Sequence, residues 1–147
     1  MKKSEVPIIA NSAQKTHIWL KEIARRMGWN DQQLAYQALR AVLQALRDRL
    51  PVEVVAKLGA QLPLLIRGIY YENWVPSHTP FRLHHVEDFL GLVSVYLGND
   101  RLIPDTESIT KNVFLTLQSH LTAGEIKNVK RVLPDSIAAF WPQGEAV

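Results

Sequence analysis

Slid against itself, the sequence matches at an offset of 71. Val42, Leu46 and Leu50 fall on Val113, Leu117 and Leu121, and Leu62, Pro63 and Ile66 fall on Leu133, Pro134 and Ile137. The register runs without a gap from Leu39/Thr110 to Tyr70/Trp141, and most other apolar positions stay apolar, as at Leu43/Phe114, Val55/Ile126, Leu58/Val129 and Ile69/Phe140. Upstream, an offset of 70 pairs Trp19, Leu20, Ile23, Met27 and Gly28 with Phe89, Leu90, Val93, Leu97 and Gly98. A unit of this size cannot cover its own apolar face, so two copies are expected to stack and share one core.

Helix signals recur in both halves. Gly28 and Gly98 stand where a first helix would end in a left-handed cap. Asn30 with Gln33, and Thr122 with Glu125, have the spacing of a capping box, which satisfies amide donors at a helix start. Pro63 and Pro134 suit a first helical turn, where proline's missing N–H costs nothing. From about Asp31 to Arg49, Leu39, Val42, Leu43, Leu46 and Leu50 share one helical face. Gln33, Gln37, Arg40, Gln44 and Arg47 form a polar stripe on the other, expected to meet solvent. No segment alternates with period two. The expected fold is all-α: two tandem related four-helix repeats packed into one domain. The boundaries are an N-terminal tail at 1–13, repeats at 14–74 and 85–142, a connector at 75–84 and a tail at 143–147.

Composition agrees with one packed domain. At 147 residues and 47% hydrophobic, the chain should bury roughly 70% of the surface its unfolded form exposes. It has no cysteine, which excludes disulfides, iron–sulfur clusters, thiolate zinc sites and a cysteine nucleophile. Lys2 and Lys3 are followed only by the short apolar run Val6 to Ala10, broken by Pro7, so no signal peptide is read. The most apolar stretch, Phe89 to Leu97, is far shorter than the roughly 20 residues that span a bilayer. The expected compartment is the cytoplasm.

The two copies differ in ways that bear on function. The first helix of copy one carries Lys15, Lys21, Glu22, Arg25 and Arg26, whereas its counterpart Phe89 to Leu97 has almost no polar face. A helix apolar all round is usually buried on several sides, so this segment is expected to be a central helix, or else a self-association surface or apolar groove. Residues 12–74 carry nine basic and five acidic side chains, and residues 82–141 carry six and seven. The halves are therefore +4 and −1, and the net charge of the whole chain is +3.

The connecting stretch is the richest in candidate site residues. From Tyr70 to His85 it holds Tyr70, Tyr71, Trp74 and Phe81, two prolines and three of the five histidines. Long loops tend to carry binding function. The aromatic seam Tyr70, Tyr71, Trp74 and Phe81 is the candidate interaction surface; the competing reading is a strap whose rings fill the join between repeats. His78, His84, His85, Glu87 and Asp88 offer metal-ligand chemistry, but neighbouring helical residues point about 100° apart, and no Glu-x-x-His pair occurs. No metal and no cofactor are expected. Nucleophile-elbow, phosphate-loop, dinucleotide and zinc-protease signatures are all missing, and His17, His120, Asp31 and Asp48 form no evident acid–base pair. No catalytic residue is assigned. Nucleic-acid binding would rest on Lys21, Arg25 and Arg26, or on Lys127, Lys130 and Arg131, which is thin for phosphate contacts.

The run Ala41 to Pro51, then Gln61 to Trp74, with its Tyr-Tyr-Glu-x-Trp segment, resembles the bacterial domain-of-unknown-function family 2267. His120 to Ile126 and Val132-Leu133-Pro134 resemble that family's second half, and Asn73 stands where glycine is expected. The resemblance covers roughly residues 14–142 and implies a small all-helical bacterial protein, with no activity to transfer. The expected function is a non-enzymatic protein-interaction or self-association module. The alternatives are a small-molecule or lipid-binding domain with a pocket between the repeats, lined by Trp19, Phe89, Tyr96 and Phe114, and a weak nucleic-acid binder.

Overall fold

The computed structural model of the chain describes residues 6–98 and 105–142. Among them run eight α-helices and no strand. The helices are α1 (Pro7–Met27), α2 (Gln32–Arg49), α3 (Val52–Gln61), α4 (Leu64–Tyr71), α5 (Val86–Leu97), α6 (Thr106–His120), α7 (Ala123–Arg131) and α8 (Asp135–Ala138). A 3-10 turn at Pro76–His78 lies in the linker between α4 and α5. Helix α1 starts at Pro7, so residues 7–13, expected in a tail, are helical. The linker occupies residues 72–85 rather than 75–84. Residues 1–5 and the expected tail at 143–147 lie outside the described residues.

Local chemistry sets most of the helix ends. Gly28 ends α1 with φ 74° and ψ 26°, the left-handed cap that glycine enters without a Cβ penalty. Gly98 also has positive φ, but its ψ of −151° leads the chain away extended, so it is not the helical cap expected. At α2 the cap is Asp31, whose carboxylate accepts from the Gln33 amide at 2.8 Å; Asn30 is one residue too early. Thr122 caps α7 as expected, accepting from the Glu125 amide at 3.1 Å. Pro63 and Pro134 sit at the cap positions of α4 and α8, one residue before the first turn.

The central helix is α2, not α5. From Ala41 to Asp48 every residue of α2 is buried, and α1, α4, α5 and α6 all pack on it. Ala35, Ala38, Ala41 and Ala45 keep its girth small, so neighbours approach closely, while Leu39, Val42, Leu43 and Leu46 fill the spaces between them. Helix α5 buries Phe89, Val93 and Leu97 on one side and leaves Val95 70% exposed. Its apolar outer face reflects a surface helix with few polar residues. At the other side of the core, Phe89 and Phe114 lie 6.2 Å apart, and Trp141 stacks on Phe114 at 4.0 Å.

The polar stripe of α2 meets solvent only at its start: Gln33 is exposed and Gln37 and Arg40 are half-buried, but the stripe goes under towards the C-terminal end. Gln44 and Arg47 are buried, because they serve the C-terminal end of α4. The last carbonyls of any helix lack intrahelical donors, and α4 has no basic residue in its last turn. Gln44 Nε2 donates to the Ile69 carbonyl at 2.9 Å, and Arg47 Nη1 donates to the carbonyls of Tyr70 and Glu72, both at 2.8 Å. The Asp48 carboxylate balances the Arg47 charge at 2.8 Å and also accepts from the Tyr96 hydroxyl of α5. A buried cation with its acceptors satisfied is tolerable where a bare one is not.

Candidate functional site

Tyr70, Tyr71 and Trp74 of the aromatic seam pack on the core. Tyr70 is wholly buried and its hydroxyl donates to the Val55 carbonyl at 2.9 Å, so it cannot meet a partner and leaves the expected surface. Burial raises its phenol far above the ordinary range, and its neighbour Tyr71 adds to the effect. Tyr71 sets its ring edge-on to Tyr70 at 4.9 Å and lies 5.4 Å from Trp74. Trp74 and Phe81 are half-buried, and the Phe81 amide donates to the Asp48 carbonyl at 2.7 Å. Tyr70 and Tyr71 thus lie in the last turn of α4, and Trp74 and Phe81 in the linker that follows. Asn73 has φ 66°, a left-handed conformation that asparagine tolerates and glycine would adopt freely.

Other sequence candidates stay apart. His78, His84 and His85 are exposed along the linker, and no group of three or more potential ligands gathers among the described residues. Phe89 and Phe114 are core residues, and Tyr96 is occupied with Asp48, so the expected pocket of Trp19, Phe89, Tyr96 and Phe114 does not form. Lys21 and Arg25 are exposed on α1, whereas Arg26 is drawn to Glu22 at 2.8 Å. Arg131 bonds Asn128 at 2.9 Å on its own helix.

Trp19 does line a cleft, elsewhere. A cavity of about 490 Å³ opens between α1, the corner joining α3 to α4, and the end of α6. Its walls are Lys15, Ile18 and Trp19 from α1, Gln61, Leu62, Pro63, Leu64 and Arg67 from the corner and α4, and His120 from α6. The His120 ring stacks on Trp19 at 4.8 Å and 15°, and its Nε2 lies 2.9 Å from Glu22 Oε1. The other Glu22 oxygen accepts from Arg26 and from Ser119, each at 2.8 Å. Burial pushes the Glu22 carboxyl up, but the hydrogen bonds from Arg26, Ser119 and His120 together hold it below its ordinary value.

Chemically this cluster is one carboxylate committed to a guanidinium, a hydroxyl and an imidazole. Ser119 donates to Glu22 and not to the imidazole, so His120 is not placed to activate it as a nucleophile. Sequence reasoning treated His120 as a lone histidine. Its place in the last turn of α6 was visible locally. Its partner Glu22 lies far off in sequence, and nothing local announced it.

Beside the cleft is a cluster of exposed aliphatics. Ser12 Oγ accepts from the Leu65 amide at 2.9 Å, which pins α4 to α1. Ile8 and Ile9, one turn before Ser12, are 59% and 56% exposed, and Leu65 and Leu64 are 48% and 50% exposed. Ile18, two turns further along α1, is exposed at the cleft wall.

The chain is thus an all-α protein whose described helices include none long and apolar enough to cross a membrane. It belongs to the family of uncharacterized conserved proteins DUF2267, whose model matches residues 16–140. No curated protein matches the chain.

Proposed function

We propose that this protein is a non-enzymatic interaction module, which self-associates or docks a partner protein through the aliphatic cluster of α1 and α4. The observation that carries this reading is the exposure of Ile8 and Ile9 on α1 and of Leu64 and Leu65 on α4, two stretches that the Ser12–Leu65 bond brings together. Contiguous exposed apolar surface is characteristic of contact surfaces, whereas isolated exposed aliphatics are ordinary. Native mass of the purified protein tests it. The expected result is a multiple of 16.7 kDa that falls to the single chain in Ile9→Asp/Leu65→Asp. A wild type that stays single, and whose cross-linked partners from lysate are the same as the variant's, would overturn the reading.

We further infer that α1–α4 and α5–α8 descend from one duplicated four-helix unit. Support comes from equivalent positions: Leu50 and Leu121 both end a second helix, and Pro63 and Pro134 both precede a fourth.

A further inference from the structure

We propose that the cleft between α1, α4 and the end of α6 binds a small organic monocarboxylate. Its carboxylate would sit between Lys15 and Arg67, and its aliphatic body against Ile18 and Leu64. The cavity, at about 490 Å³, lies within the range of small-molecule sites, roughly 300–1,000 Å³. Cationic and apolar residues share its wall, and no acidic side chain lines it.

The cations are available for an anion. Lys15 is exposed and makes no ion pair among the described residues. Arg67 is half-buried, and its Nη2 donates to the Leu62 carbonyl at 2.9 Å, which fixes the plane of the guanidinium. Its Nε is buried with no acceptor. That buried Nε is out of a ligand's reach, but Nη1 makes no hydrogen bond among the described residues, and a guanidinium held in one plane can offer it to a carboxylate. Helix α4 begins at Leu64, on the same wall, but the Ser12 hydroxyl already accepts from its Leu65 amide, so the site rests on the two side-chain cations. Glu22, the carboxylate bonded to the wall residue His120, is already taken up by Arg26, Ser119 and His120.

The apolar half of the wall favours an organic anion over a bare inorganic one. Ile18 and Leu64 are both about half exposed, so a ligand's aliphatic body would cover surface that now faces water. The concave shape suits a small molecule. The flat aliphatic cluster beside it, Ile8, Ile9 and Leu65, does not.

Calorimetric titration with sodium octanoate tests the site, with inorganic phosphate and octanol as probes of head and body alone. The expected result is one saturable site for octanoate on the wild type, with phosphate and octanol each at least about tenfold weaker. Lys15→Glu, on an exposed residue, and Ile18→Asp, on the apolar wall, should each weaken octanoate by about tenfold or more. Circular dichroism is expected to show both variants folded. No saturable octanoate binding, binding unchanged in both variants, or phosphate binding as tight as octanoate would overturn the proposal. Ile8→Asp/Ile9→Asp, which disturbs the contact surface at the end of α1 away from the cleft, should leave octanoate binding intact, so the two readings fail separately.

Discussion

The Tyr96 hydroxyl of α5 donates to the Asp48 carboxylate of α2, at the end of a buried chain of polar groups. Asp48 holds Arg47, and Arg47 holds the last carbonyls of α4. One carboxylate therefore ties three helices together. Arg47→Met should cost about 3–5 kcal/mol, because it strands Asp48 without its buried counter-charge. Tyr96→Phe, which removes a single donor, should cost about 1–2 kcal/mol. Replacing both charges, as Arg47→Met/Asp48→Leu, should cost less than Arg47→Met alone. Urea denaturation of the four proteins checks the order.

Acid should weaken the Glu22 cluster. Folding holds the Glu22 carboxyl below its ordinary value of 4.5, so its contribution is complete above that pH and is lost as pH falls through the folded value. Glu22→Gln removes this dependence. Between about pH 6 and about pH 3 its urea midpoint should fall less than that of the wild type.

Alkali should act through Tyr70 and Tyr96. Burial raises both phenols, and for Tyr96 the hydrogen bond to Asp48 adds to the rise. A raised folded value means stability that is complete below the ordinary tyrosine range and lost as pH climbs above it. An ultraviolet titration should therefore show these two ionising only as the helices open. Tyr96→Phe should show a shallower loss of stability on the alkaline side.

Glycine-to-alanine changes should split in sign. In a helix interior alanine is favoured over glycine by about 1 kcal/mol. At Gly68 and Gly91 a new Cβ meets nothing within 4 Å, so Gly68→Ala and Gly91→Ala should stabilise by about 0.5–1 kcal/mol. At Gly59 a Cβ would stand 2.7 Å from Tyr71 Cζ and closer still to its hydroxyl. That ring is hemmed in by Tyr70 and Trp74. Gly59→Ala should destabilise by about 1–3 kcal/mol, and thermal melts of the three variants would show the split.

Trp141 lies one residue beyond the stretch matched by the family, yet it is 1% exposed and stacked on Phe114. Trp141→Ala and Phe114→Ala should each cost about 3–5 kcal/mol. As partners in one stack, their effects should fall short of additivity in the double variant. A double-mutant cycle by urea denaturation measures the shortfall.

What could be read from the sequence was what short-range chemistry decides. Thr122 reaches an amide three residues on, Gly28 needs only its own backbone, and the span of α2 follows from the spacing of its leucines. Periodicity marks a polar stripe but not its environment. Gln44 and Arg47 are buried because α4 ends against them, and that encounter joins residues more than twenty apart. Apolar content misled at α5, since the centre of a bundle selects narrow helices as much as oily ones, and α2 supplies the alanines. The cleft was illegible for the same reason. Its walls come from three separate stretches, and only folding sets Lys15, Arg67 and His120 around one space.

The linker of residues 72–85 does more than connect. Phe81 and Leu83 are bonded back to the end of α2, through the Asp48 carbonyl and the Arg49 guanidinium at 2.7 Å each. At its far end the Val86 amide donates to Ser136 Oγ at 2.9 Å. A domain-swapped dimer, in which two chains trade α5–α8, would keep the Val86–Ser136 bond inside the traded unit but would have to peel residues 81–83 off α2 and forfeit their two bonds in both chains. Any assembly of this protein is thereby steered toward whole folded copies meeting at their outer faces.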